Sequence, residues 1–291
     1  MEELLTVASV ARQLGVAPST LRTWDRRYGL GPTLHIAGEH RRYCPEDLGR
    51  LNLMRRLISA GVAPIVAAEQ AKAHRGKIEI EKVIENCSNC SEMIGTLYRA
   101  TNTLDRDLVA TLIRKEIADH GIIAAWQDLI VPVLVMVGAD WEDTGTGVEV
   151  EHMLTEILKR IMREEITQIA APINSRPVLL ASVGEELHSL ALHALAAALA
   201  ERSIETYFLG ARTPLEALCG MVTRSAPPAI FLWAQMPQNG DPKFFREIPA
   251  IRPAPRIILG GPGWDRAVCS DVAFADGLAS ACEEISRAVG A

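Results

Sequence analysis

The sequence predicts a multidomain chain: an all-α head with a hairpin wing over residues 1–75, a four-helix bundle over 76–175, and an α/β domain with a parallel sheet over 176–291. Three observations carry this division. Apolar residues recur at helical spacing as far as about residue 170 and then gather into continuous runs of strand length. After residue 176 those runs alternate with helical stretches, the pattern of a sheet covered on both faces. Charge is also uneven: residues 1–75 hold 11 Lys and Arg against 7 Asp and Glu, and the remainder holds 19 against 29. A basic head on an acidic body suits a head that meets a polyanion and a body that does not. The composition, 48% hydrophobic and 23% charged over 291 residues, is that of a globular chain able to bury at least two cores.

In the head, positions 7, 10, 11 and 14 are apolar at helical spacing, and Gly15 supplies a left-handed cap. Pro18 opens a second helix that runs to Tyr28. Two helices joined by a short glycine-containing turn make a helix-turn-helix. Leu21 and Trp24 are expected in its core. Ser19, Thr20, Arg22, Thr23, Arg26, Arg27 and Tyr28 are the candidates for base edges and phosphates in the major groove. The glycine-punctuated stretch 29–43 reads as a hairpin whose far arm carries His40, Arg41, Arg42 and Tyr43, a wing for the DNA backbone or minor groove. Helices over 47–58 and 63–73 close this winged helix-turn-helix. The head resembles that of the MerR family in Ser9-Val-Ala-Arg-Gln-Leu-Gly-Val16, in Leu21-Arg22 with Trp24, and in Gly38-Glu-His-Arg-Arg-Tyr43. The resemblance implies double-stranded operator DNA as partner and a homo-oligomer, dimer or tetramer, on paired half-sites.

Helices are expected over 91–102, 105–120, 121–138 and 148–169, with Pro132 kinking the third or lying near its start. The α/β part should place strands at 178–183, 205–209, 229–234, 256–259 and 272–275, and helices at 187–202, 214–223 and 278–289. Ligands of such sheets lie beyond the carboxyl ends of the strands. That singles out Gly184-Glu-Glu-Leu-His188 after the first strand and Gly260-Gly-Pro-Gly263 after the fourth.

A helical bundle followed by a flavodoxin-like α/β domain resembles the cobalamin-binding module. Val137-Gly-Ala-Asp-Trp141, followed after nine residues by Glu151-His152, is similar to the Trp-x9-Glu-His pattern of light-sensing CarH/LitR regulators, which share the MerR head. Glu186 and His188 match the family's Glu/Asp-x-His-x-x-Gly. The resemblance implies adenosylcobalamin as cofactor, with His188 as the lower cobalt ligand and Glu186 as the acid orienting it. It also implies that Trp141 caps the adenosyl group, with Glu151 and His152 beside it. Gly260 and Gly261 would line the nucleotide tail, and Trp233 falls beside the buried base. An imidazole is a usual nitrogen ligand for a transition metal, and a neighbouring carboxylate raises its basicity. Three positions depart from the pattern. Ala191 replaces the motif's glycine, Trp233 replaces a small hydroxyl residue, and Glu142 replaces the histidine that captures cobalt after photolysis.

No nucleophile elbow, P-loop or HExxH motif appears, so no enzyme is expected. Cys87 and Cys90 form a lone CxxC, a redox pair or two ordinary reduced thiols. The apolar run 187–200 is broken by His188, Ser189 and His193, and the opening MEELLTVASV has no basic segment before an apolar one. No membrane span or leader is expected, and the location is cytoplasmic. The sequence therefore points to a regulator whose sensor ligand, adenosylcobalamin or a related molecule, controls oligomerisation and operator binding. Two alternatives stay open. One is a regulator that has lost cobalamin and senses another small molecule or a protein partner. The other is a corrinoid carrier for a methyltransferase, which has no use for a DNA-binding head.

Overall fold

A computed structural model describes residues 4–33, 40–73, 90–144, 146–270 and 272–291, with the backbone alone at 90 and 141–144. Two compact units emerge, one of residues 1–115 with 129–154 and one of 116–128 with 155–291. They divide the middle segment between them, where the sequence drew one domain over 76–175.

In the first unit, β1 (Leu5–Thr6) leads into α1 (Val7–Leu14) and α2 (Pro18–Tyr28). The Thr6 hydroxyl accepts from the Ser9 N–H to cap α1, and Gly15 ends it at φ 63°, as the sequence required. β2 (Arg42–Tyr43) follows the wing, then α3 (Pro45–Ser59) and α4 (Pro64–Ala73). The head is not purely helical, because β2 pairs antiparallel with β1 and ties the wing's far arm to the start of the chain. Val10, Leu14, Leu21, Trp24, Tyr43, Leu51, Met54 and Ala67 form its core.

The helical middle runs as α5 (Cys90–Asn102), α6 (Arg106–Ala124), a π-helical stretch (Ala125–Ile130), α7 (Val131–Thr144) and α8 (Val148–Ile166). Gly121 breaks α6 at φ 81° and ψ 169°, where the sequence separates two helices. Pro132 lies at the second position of α7, directly after the π stretch. A proline lacks the N–H for the preceding turn, and the wider π turn accommodates the mismatch. The run Arg106–Asp140 is long and apolar enough to cross a membrane by length and composition alone. Within it Leu108, Leu112, Ile122, Leu129, Ile130 and Val133 are buried, while Val135 and Met136 are exposed.

The second unit carries a parallel sheet of β3 (Val178–Val183), β4 (Thr206–Thr213), β5 (Ala229–Trp233), β6 (Arg256–Gly260) and β7 (Ala273–Ala275), in the order β4-β3-β5-β6-β7. Its helices are α9 (Leu190–Glu201), α10 (Leu215–Ser225), the short α11 (Lys243–Arg246) and α12 (Leu278–Val289). This is the doubly wound, flavodoxin-like order, whose strand sequence reverses between β3 and β5. β4 runs four residues beyond its expected end, and α9 starts three residues later than expected because 184–189 form a loop.

Candidate functional site

The head presents the expected cationic face. Leu21 and Trp24 are buried, while Ser19, Arg22, Arg26 and Arg27 are exposed and Thr20 and Thr23 partly so. Thr23 donates its hydroxyl to the Ser19 carbonyl within α2, at 3.0 Å. Tyr28 is half-buried and packs against the head core. His40 and Arg42 are exposed. Arg41 is already engaged, its Nε donating to Asp25 Oδ2 at 2.9 Å, so it braces the wing against α2. Tyr43 corrects the sequence expectation: it is fully buried, and its hydroxyl has no partner among the described residues. Its place opposite Leu5 in the β1–β2 ladder turns the ring into the core rather than toward DNA.

A buried carboxylate that the sequence did not single out holds the wing's root. Asp47 accepts from the Thr33 hydroxyl at 2.5 Å, the Thr33 N–H at 3.2 Å and the Cys44 N–H at 3.0 Å, so it joins the two ends of the segment 33–44. Burial pushes its pKa up, but these donors outweigh burial and hold it below the usual range. Positions 34–39, including Gly38 and Glu39 of the MerR-like signature, lie outside the described residues.

Within the same unit a second buried carboxylate joins head to bundle. Asp105, just before α6, accepts from Arg55 Nη2 at 2.5 Å and from Arg56 Nε at 2.8 Å and Nη2 at 2.9 Å. Both arginines belong to α3 and are less than a tenth exposed. Arg99 of α5 adds a bond from its Nε to the Ser59 carbonyl at 2.6 Å. On α7, Asp140 accepts from the Tyr98 hydroxyl one residue before Trp141. The side chains of Trp141 and Glu142 lie outside the described residues, as do Cys87 and the side chain of Cys90. Glu151 and His152 are exposed in the first turns of α8.

In the second unit the strand reversal between β3 and β5 is where the chemistry gathers. Glu186, 1% exposed, accepts from the His188 N–H at 2.9 Å, the Gln235 and Met236 N–H groups at 2.9 Å and Asn239 Nδ2 at 3.0 Å. The loops after β3 and β5 are thereby fastened to one carboxylate. Burial alone would raise its pKa, but the His188 N–H, Asn239 and Met236 donors outweigh it and hold the value at about 2. Glu186 Oε1 also lies 2.5 Å from His188 Nδ1. An ionised carboxylate only accepts, so Nδ1 carries a proton, and in the neutral imidazole the lone pair lies on Nε2. The imidazole is 60% exposed, and Ser182 Oγ donates to the His188 carbonyl at 3.1 Å. The sequence pointed to Glu186 and His188. It missed Ser182, Gln235, Met236 and Asn239, two of which act through backbone N–H groups that no side chain announces.

The expected tail-lining residues have partners within the chain. A Cβ on Gly260 would lie 2.2 Å from Phe231 Cζ. One on Gly261, which has φ +97°, would meet the Ala234 carbonyl oxygen at 2.2 Å and Trp233 Cδ2 at 3.3 Å. The double glycine is thus required by the chain's own packing. Trp233 is half-buried, with its Nε1 sealed and unpartnered among the described residues. The site therefore fits the metal end of a cobalamin, through the His188 imidazole in its neutral form. It does not fit a nucleotide tail threaded past Trp233. Among the described residues no cluster of three His, Cys, Asp or Glu side chains forms a separate metal site.

The chain matches the MerR HTH family regulatory protein over residues 5–71 and the B12 binding domain over residues 93–164. It is 26% identical to the HTH-type transcriptional repressor CarH of Myxococcus xanthus over 79% of each chain. It is 24% identical to the HTH-type transcriptional repressor CarA of the same organism, over 89% of this chain and 87% of that one. Among solved structures, the monomethylamine corrinoid protein of Methanosarcina barkeri is 14% identical over 68% of this chain and 99% of that one, with a TM-score of 0.47. The two family matches and the two repressor likenesses define a DNA-binding transcription regulator with a MerR-type head and a B12-binding-type body. Within that class its arrangement fits the CarH type.

Proposed function

We propose that this chain is a cytoplasmic, non-enzymatic repressor whose body takes a corrinoid at His188, and that occupancy changes how protomers assemble on an operator. The observation that carries this is the Glu186–His188 pair at the strand reversal, in a chain that also bears a cationic helix-turn-helix. Glu186 holds the imidazole by Nδ1 and presents Nε2 outward, which is the orientation an axial ligand needs. A bound corrinoid would supply a metal ion, which the neutral imidazole of His188 would hold. Ser182 and the Gln235 and Met236 amides keep the loop from turning the ring away. Arg22, Arg26 and Arg27 face the operator, and the exposed Arg42 meets its backbone. Repression is the sign taken from the CarH and CarA likeness.

The experiment is a gel-shift titration on a duplex selected from a random pool, with aquocobinamide and hydroxocobalamin each added in turn. At least one corrinoid should change apparent operator affinity by about tenfold or more, equivalent to ~1.4 kcal/mol of coupling. His188→Ala should lose that response while still binding DNA. No response to either corrinoid, with DNA binding intact, would contradict the proposal.

A further inference from the structure

We infer that the corrinoid held at His188 is one without a nucleotide arm, because Phe231 and Trp233 fill the slot such an arm would have to enter. The inference rests on the reading above that His188 is the axial ligand, and it names the ligand class of that site.

The slot is defined by the sheet. Ile230, Leu232 and Ala234 belong to the core that includes Leu218 and Val222 of α10 and Phe244 and Phe245 of α11. Alternation turns Phe231 and Trp233 to the opposite face, which α9 and α12 cover. Phe231 lies in register with Leu180 of β3 and Ile258 of β6, and Trp233 with Ser182 and Gly260. Ser182 is the residue that bonds the His188 carbonyl, so the indole stands one strand, about 5 Å, from the position that anchors the metal ligand. Phe231 is 4% exposed, and its ring occupies the space a side chain on Gly260 would take. Trp233 closes the column above it against Gly261. Its N–H finds no acceptor among the described residues, so the ring contributes volume rather than a hydrogen bond.

The chemistry of the ligand follows. A nitrogenous base tethered to the lower face of a corrin competes for the metal at high effective concentration. His188 can displace it only if the released arm has somewhere to go. With the slot filled, the arm stays folded under the ring, blocks His188 and holds the macrocycle off the loop. A corrinoid whose lower face is bare meets neither obstacle.

The test uses the full chain with two probes, aquocobinamide, which lacks the arm, and hydroxocobalamin, which carries it. Binding is followed by the visible corrin spectrum and by titration. Wild type should prefer aquocobinamide by at least about 100-fold, the scale on which a tethered competitor acts. His188→Ala should lose the spectral shift of the imidazole adduct. Trp233→Ser should bring the two affinities within about tenfold of each other by opening the slot. If that variant fails to fold, the wild-type ratio decides alone. Equal affinity of wild type for both probes overturns the inference and leaves the corrinoid-sensing proposal standing. Uptake of neither probe by wild type, with operator binding intact, overturns both.

Discussion

Tyr43 carries a phenolic oxygen into the head core with no partner among the described residues. A buried hydroxyl left unbonded costs about 1–3 kcal/mol, so its removal relieves a penalty. Tyr43→Phe should leave operator affinity unchanged and raise stability by about 1 kcal/mol in a denaturant melt. A tenfold loss of DNA binding would return Tyr43 to the interface. Glu186 makes the opposite case, since its carboxylate is bonded from every side. Its folded-state pKa, about 2, lies below its value in the unfolded chain, so its stabilisation is present above the ordinary carboxylate range and is lost as pH falls toward 2. The difference corresponds to about 3 kcal/mol. Glu186→Gln should forfeit stability of that order near neutral pH and flatten the acid limb of the stability curve. An unchanged acid limb would show that the carboxylate is not held as described. His193 contributes in the same direction over a different window. Burial, with Arg163 and Lys159 nearby, lowers its pKa to about 4, so the stability tied to its neutral form is lost as pH drops from the usual histidine range toward 4.

Helix α3 belongs to the DNA-binding head and yet spends two arginines on Asp105 at the start of α6. Removing one partner of a buried ion pair leaves uncompensated charge and costs about 3–5 kcal/mol. Asp105→Ala should therefore destabilise the first unit by several kcal/mol in thermal melts. Asp105→Asn, which keeps the shape and part of the hydrogen bonding, should fall between that variant and wild type. Equal melting of all three would deny the contact any structural weight. On α2 the expected effects separate by role. Arg22→Ala or Arg26→Ala should cost about 1–3 kcal/mol on a preferred operator if the side chain reads a base. Arg42→Ala should weaken all sequences alike and flatten the salt slope by about one unit. Wild-type-like gel shifts for all three variants would remove α2 and the wing from the interface. Helix positions were legible because capping and period are local signals: Gly15, Pro18 and Gly121 each mark a boundary that the structure keeps. The ladder between β1 and β2 was not legible, because two-residue strands carry no period and their pairing joins residues 5–6 to 42–43.

At the scale of the whole molecule, a MerR-type head on paired half-sites requires at least two protomers on DNA. Sedimentation of the operator complex should show a dimer or larger, and a strict monomer at saturating DNA would exclude the assembly proposed. The sequence by itself determined the class: a cationic helix-turn-helix, a helical middle and an alternating α/β half, with Glu186 and His188 just past the first strand. Those features follow from local spacing, charge and turn chemistry, which a linear chain carries in full. Tertiary structure alone decided what surrounds them. It placed the Gln235 and Met236 amides on Glu186, put Tyr43 inside rather than outside, and brought Gly260 and Gly261 against Phe231, Ala234 and Trp233. Backbone donors and close approaches between residues 27 to 50 positions apart leave no mark at either end of the sequence. They exist only once the sheet has set its strand order, because that order chooses which loops and side chains meet at the reversal between β3 and β5.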